Sequence, residues 1–513
     1  MERSFRRSMG WLHSWAGVVL GGILFAVFWT GTLSVFDQEI DLWMKPSTRV
    51  PVISSPVSFS IFQKSLNEAG RIHAPVWRLS LPSDRQPLAR LSYREGDVFI
   101  NRLVNLKTGQ RLPEPETLGA SGFLYPFHYS LHIRFMNIGI WCVGLAAMSM
   151  LVLCVSGVVI HRKIFSDFFT FRPGKNARRM LLDLHNLSGV LGLPFHIIFA
   201  FTGLVIFGSV YFPSGAKSVY PTLQAYFDDM SGSSFFLKPK KYDVPGVPLE
   251  IMAIQARAIL GEPLGIVVVF NPGSDVARVR FIGSESHSVS GSNNTLTFNG
   301  VTGVLIGQPL ELKPVMHVQR FLSGLHLIRF HHWGLRWLYF LLGLSSCLMI
   351  SSGFLFWLEA RRKTQGGTFG FRIVEGLTIG CVSGIILATL AFFIANRLLP
   401  AGIMCFGQPR AALEVWAFYL VWFVASLHGW FCPQRGWACQ MIIIAVGAFT
   451  AVLLNWVTTG DHLLYSLMHR WLWPVAAMDM VLLAAGAVAL WMSLRLSVGA
   501  GERIVRSSVE QSL

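Results

Sequence analysis

Residues 12–31 read LHSWAGVVLGGILFAVFWTG, and residues 184–203 read LHNLSGVLGLPFHIIFAFTG. Each is a run of about 20 mainly apolar residues, the length that crosses the hydrocarbon core of a bilayer. His13 falls on His185, Gly17 on Gly189 and Thr30-Gly31 on Thr202-Gly203, all at one offset of 172. Further along, NLKTGQ (Asn105 to Gln110) falls on NGVTGV (Asn299 to Val304) at an offset of 194. YSLHI falls on SGLHL, placing His132 on His326, again at 194, and Gly157 falls on Gly353 at 196. Matches in the same order at nearly constant offset define a tandem repeat. Each copy is helix, polar segment, helix, and both copies run in the same sense, so the repeat is parallel rather than inverted.

Composition agrees with a membrane protein. Of 513 residues, 52% are hydrophobic and only 14% charged, where a soluble domain carries about 25% charged residues. Eight spans are expected, at about 11–36, 136–160, 185–210, 334–358, 374–396, 412–431, 438–458 and 473–495. The first is too long for a signal peptide and no small-x-small cleavage site follows it. The expected fold is therefore an integral membrane protein, mostly α-helical, with the first four of about eight transmembrane helices forming the repeat. Its parts are helix 1 (1–36), a first outer domain (37–127), helix 2 (128–163), a basic loop (164–184), helix 3 (185–210), a second outer domain (211–325), helix 4 (326–363), four additional helices (370–496) and a tail (497–513).

The net charge of +16 reads as basic loops and contact with anionic lipid. Nucleic-acid binding is set aside, because no basic run is interleaved with exposed aromatics on a soluble domain. Arg3, Arg6, Arg7, Arg162, Lys163, Arg172, Lys175, Arg178, Arg179, Arg361, Arg362, Lys363, Arg372, Arg435, Arg495, Arg503 and Arg506 fall on one side if both termini are inside. The outer segments carry alternating strand patterns: VWRLSLP, ARLSYRE and DVFINRLV in the first, GIVVVF, ARVRFIG and NTLTFNG in the second. FQKSLNEAG and EIMAIQARAI are the expected helices, and the NxxTG element a strand ending in a turn with glycine at positive φ. Two small α+β domains follow from this. Of seven Cys, Cys142, Cys154, Cys347 and Cys381 lie in apolar runs as small hydrophobes, while Cys432 and Cys439 flank a short loop and are candidates to pair or bind metal. No CxxCH occurs, which excludes covalent c-type haem.

Fifteen His are present, and an ionisable residue in or near hydrocarbon is a functional hypothesis by default. Neutral imidazole is a good axial ligand for haem iron. His13 and His185 form a repeat-related pair near one face, and His132 and His326 a second pair near the other, which suggests two haems. His196 lies about 16 Å along the helix from His185 and on nearly the same face, so it is a substitute ligand or a pocket wall. Small residues along these spans leave room for a flat macrocycle, or equally for close helix packing. The bland reading, interfacial His and inherited packing, stands beside the haem reading. His161, His317, His331 and His332 read as interfacial and His73 and His287 as solvated; His428, His462 and His469 flank later spans, where Asp461-His462 is a candidate proton or quinone group. No GxGxxG, Walker loop, GxSxG or HExxH is found. Any electron donor is then another molecule, such as membrane quinol or a partner reductase.

The paired LHxxxG...TG helices, the SLH/GLH elements and the NxxTG strands resemble the PepSY-associated transmembrane family, over residues 5–363. The resemblance implies a bacterial inner-membrane location, cytoplasmic termini and two periplasmic PepSY-like domains. It also implies two b-type haems and reduction of ferric siderophore to release iron(II) in the periplasm. By it, His13, His132, His185 and His326 are candidate axial ligands, with His196 as the substitute. The outer domains are then the docking surface for the chelate, with Arg71, Arg78, Arg90, Arg94 and Arg102 as candidate contacts. Residues 370–513 depart from the family's four-span pattern. Two other functions remain open at this level: a non-enzymatic membrane-anchored regulator or assembly factor that binds a periplasmic protein, and a siderophore transporter.

Overall fold

The computed structural model describes residues 3–51, 57–96, 98–106, 109–161, 171–172, 176–222, 225–226, 237–284, 289–290, 294–307, 314–328 and 332–510. His287, His331, Arg162, Lys163 and Lys175 lie outside them. The chain forms two compact units, one of residues 1–46, 116–201 and 334–513, the other of residues 47–115 and 202–333.

The first unit is a helical bundle. Helix α1 (Arg3–Ser34) is followed by the short α2 (Asp37–Met44). After the polar segment come α3 (Tyr125–Ser130) and α4 (Ile138–Ile160). The third span is broken: α5 (Ala177–Leu191) and α6 (Leu193–Ile206) meet at 62°. Pro194 explains the break, because it brings no N–H for the Val190 carbonyl and its ring crowds that turn. The span expected at 185–210 is thus two helices rather than one. Next are α7 (Trp333–Gln365), α8 (Phe369–Leu398), α9 (Arg410–Phe431), α10 (Pro433–Thr459) and α11 (Trp473–Glu510). Helix α11 carries through the stretch expected as a tail from residue 497. Among the described residues seven helices are long and apolar enough to cross a membrane, eight if the bent pair is one span.

Helix α8 is the bundle's axis. Of its most apolar window 72% is buried, against 44% or less for the other spans. Gly376, Gly380 and Gly384 recur every turn and meet Trp430, Ser426 and Ala425 of α9, the close small-residue approach that replaces the hydrophobic drive in lipid. Gly22 of α1 receives the Cys381 thiol from α8. All seven cysteines are free, so Cys432 and Cys439 do not pair.

The second unit holds strands β1 (Val76–Ser80), β2 (Ala89–Glu95), β3 (Val98–Val104) and β4 (Arg111–Leu112) from the first polar segment. The second segment gives β5 (Leu264–Phe270), β6 (Arg278–Gly283), β7 (Thr295–Asn299) and β8 (Leu305–Gly307). They form one sheet in the order β4-β3-β2-β1-β5-β6-β7-β8. The two segments, read from sequence as separate domains, are therefore halves of one sheet. They join where β1 and β5 pair antiparallel with Trp77 opposite Val269 and Leu79 opposite Val267. A single core lies under one face, with Trp77, Leu91, Val267, Phe281 and Phe298 packed with Phe62 of the helix Ser60–Arg71 and Met252 of the helix Leu249–Leu260. Gly109 and Gly303 take φ of +67° and +71° in matching turns, each donating to the Asn four residues before.

Candidate functional site

Four histidines share one setting. Each ring lies where the neighbouring helix has a glycine, so that a Cβ there would touch the ring at Gly157 and crowd it at the other three. A Cβ on Gly157 of α4 would lie 3.4 Å from His13 Cε1, and one on Gly353 of α7 would lie 3.0 Å from His185. A Cβ on Gly31 of α1 would lie 2.7 Å from His128 of α3. In the second unit one on Gly203 would lie 3.1 Å from His326, which sits on the helix Pro314–Leu327.

The hydrogen bonds fix how three of these rings are protonated. His185 Nδ1 lies 2.8 Å from the Met349 carbonyl. A carbonyl only accepts, so Nδ1 carries the proton and Nε2 keeps its lone pair, the form that binds a metal. His128 Nδ1 does the same to the Val27 carbonyl at 2.8 Å. His13 Nδ1 meets Ser156 Oγ at 3.0 Å. That hydroxyl donates to the Leu153 carbonyl at 3.2 Å, so it accepts from the ring. His326 Nδ1 pairs with Thr202 Oγ1 at 3.0 Å. The repeat is visible in these contacts: Leu153, Ser156 and Gly157 around His13 correspond to Met349, Ser352 and Gly353 around His185.

His13 and His185 come together, with ring centres 6.2 Å apart and planes at 80°. Two metal–imidazole bonds of about 2 Å each, plus the distance from nitrogen to ring centre on both sides, span about 6 Å. Among the described residues no group of three or more His, Cys, Asp or Glu gathers.

His132, the expected partner of His326, is placed differently. It stands just past the end of α3, with Leu131 and His132 both at positive φ, and its ring lies edge-on to Phe123 at 5.1 Å. Its Nε2 is buried with no hydrogen-bond partner among the described residues. The glycine notch is filled instead by His128, one turn earlier, a residue outside the repeat-matched pairs. His196 is fully buried; its Nε2 lies 2.9 Å from Ser346 Oγ and its Nδ1 has no partner among the described residues. Its ring stands edge-on to Phe28, at 6.1 Å between ring centres. His462 accepts from the Tyr465 amide as a helix cap and His469 Nδ1 donates to the Tyr465 carbonyl, so both have local structural work. His73, read as solvated, stacks on Tyr242 at 3.9 Å.

Two buried acids in the later spans also have functional-looking settings that no repeat marks. Asp479 accepts from Trp43 Nε1 at 2.8 Å and Asn455 Nδ2 at 3.2 Å. Glu414 accepts from Asn396 at 3.0 Å and from the Thr117 hydroxyl, and pairs with Arg410 at 3.4 Å. The signal available was an acid inside an apolar run. These contacts tie α8 to α11 onto α2 and residue 117.

The fold and its repeated histidine notches define a multi-pass membrane protein built on a tandem helix–strand–helix unit. Residues 10–360 match the family described as the PepSY-associated TM region, and the chain belongs to that family. An uncharacterized protein of Pseudomonas aeruginosa is 24% identical over 409 residues, covering 73% of this chain and 95% of its own length.

Proposed function

We propose that this chain is a di-haem electron-transfer protein of a bacterial inner membrane, reducing ferric siderophore in the periplasm. The observation that carries the reading is the His13–His185 pair, with ring centres 6.2 Å apart and each Nδ1 engaged so that Nε2 is left to bind. Bound b-type haem would supply a one-electron carrier at low dielectric. His13 and His185 would hold its iron through Nε2. His128, seated on the same kind of notch in the first unit, would be a further haem ligand in place of His132, and His326 fills the matching notch in the second unit. Ser156, Met349 and Val27 hold the tautomer, and the glycines give the rings their place beside the helix.

Iron(III) in a siderophore is held by hard oxygen ligands that hold iron(II) far more weakly, so one electron per iron loosens the metal. The donor is membrane quinol or a partner reductase. Basic residues at the span ends support cytoplasmic termini.

The test is stopped-flow mixing of dithionite-reduced, desalted protein with a ferric chelate. Reoxidation that saturates with chelate, with one iron(II) trapped per electron lost, is expected. Reoxidation by oxygen alone, with no iron(II) formed, would overturn the reading.

A further inference from the structure

The four spans beyond the family's region, α8 to α11, follow one another directly. Successive spans alternate in direction, so the α8–α9 connection (residues 399–409) and the α10–α11 connection (residues 460–472) lie on the same side of the membrane. On the other side α9 passes to α10 through Cys432 alone. Both longer connections present their apolar side chains outward.

The first connection carries a hairpin. Strands Met404–Cys405 and Gln408–Pro409 pair, with Gln408 opposite Cys405. The turn residues Phe406 and Gly407 take φ of +50° and +72°. Such a turn needs positive φ at both positions and is normally filled by Asn-Gly or Asp-Gly. A bulky side chain is disfavoured there, and two strand pairs alone do not hold a hairpin in water. Phe406 is nonetheless 89% exposed, so the protein itself buries almost none of the ring, and Met404 is exposed as well. Glu116 accepts from the Gly402 amide and ties the base of the connection to the bundle.

In the second connection the helix Leu463–Met468 leads through the turn Arg470–Leu472 into α11. Its faces are inverted. Leu464, Leu467 and Met468 share one face by their spacing and are exposed, Met468 by 77%, while Ser466 is buried. A helix bathed in water turns its apolar stripe inward. The segment closes its hydrogen bonds on itself: His469 Nδ1 donates to the Tyr465 carbonyl at 2.8 Å and Trp473 Nε1 to the Leu467 carbonyl at 3.1 Å. Rings pack along it, with Tyr465 and His469 at 4.1 Å and His469 and Trp471 at 4.9 Å between centres. Trp and Tyr gather at the level of lipid headgroups, where an apolar ring with a polar edge is satisfied on both counts.

These surfaces continue one that faces lipid already. Trp456 and Val457 are exposed on α10 just before the short helix, and Leu398 is exposed at the end of α8 just before the hairpin. We propose that the two connections form an interfacial anchor, with Met404 and Phe406 of the hairpin and Leu464, Leu467 and Met468 of the short helix buried at the headgroup–acyl boundary of the phospholipid leaflet on their side. The anchor fixes the depth of α8 to α11 in the bilayer, and it stands whether or not the chain holds haem.

The test uses full-length protein carrying Cys432→Ser, which removes the exposed thiol. One nitroxide is placed on Phe406→Cys or on Met468→Cys, and the protein is reconstituted as single copies in phosphatidylcholine nanodiscs. Collision of the label with oxygen, which concentrates in lipid, is compared with collision with a neutral, water-soluble nickel(II) chelate. Cys432→Ser protein treated with the same reagent gives the background from the other thiols. Both labels are expected to meet oxygen more often than the chelate, and a label on Glu95→Cys, exposed at the end of β2, to do the reverse. Met404→Cys and Leu464→Cys are the substitutes should either variant not fold. A label in folded protein that meets the chelate more often faces water and overturns the proposal. A label shielded from both reagents is covered by protein, from this chain or another, and overturns it as well.

Discussion

At the scale of single residues the account rests on space and tautomer. Gly353 and Gly31 are where they are because a methyl group would press on His185 and His128 at 3.0 and 2.7 Å. Gly31→Ala should force the His128 ring to move, at a cost of about 1–3 kcal/mol. Its expected signature is a changed low-temperature EPR spectrum of one haem in a protein that still folds; an unchanged spectrum would show that the notch does not hold a ligand. His128→Ala should lose haem while His132→Ala keeps it, read as haem per chain by pyridine haemochrome. That His128 rather than His132 fills the notch has a physical reason. YSLHI and SGLHL match in letters, but α3 ends at Ser130 with Leu131 left-handed, whereas its counterpart runs on to Leu327 with Ile328 left-handed. Local identity set the register one turn off, and only the helix ends reveal it.

Among the elements, the spans and most of the strands were legible because their periods are strong: about 20 apolar residues per span, and alternation over five to seven residues per strand. What was not legible is long-range pairing. β1 and β5 lie far apart in sequence, and nothing local marks Leu79 as the partner of Val267. Nor did composition reveal how the four later spans are attached. Glu414→Ala would leave Arg410 beside an emptied, buried site, and should destabilise the bundle by about 3 kcal/mol. Glu414→Gln, which keeps most of the hydrogen bonds, should cost less. Unfolding of detergent-solubilised protein measures both, and equal stability of the alanine variant and the parent would show the network to be idle.

For the molecule as a whole, membership of the PepSY-associated family covers residues 10–360, yet the bundle does not end there. Trp43, Thr117 and Gly22 all have partners beyond residue 369. A chain cut after Gln365 should therefore fail to accumulate, whereas full-length protein should be stable; equal yield of the cut chain would make the later spans a separate attachment. The central claim, that the repeated histidines hold haem for transmembrane electron transfer, is tested most directly by the visible spectrum of protein purified in mild detergent, oxidised and then reduced with dithionite. The account predicts a sharp Soret band, an α band on reduction, acid-acetone extraction of the chromophore, about two haems per chain, and loss of haem in His13→Ala and His185→Ala. A protein that is colourless, and stays so after haem is supplied during expression, would contradict it.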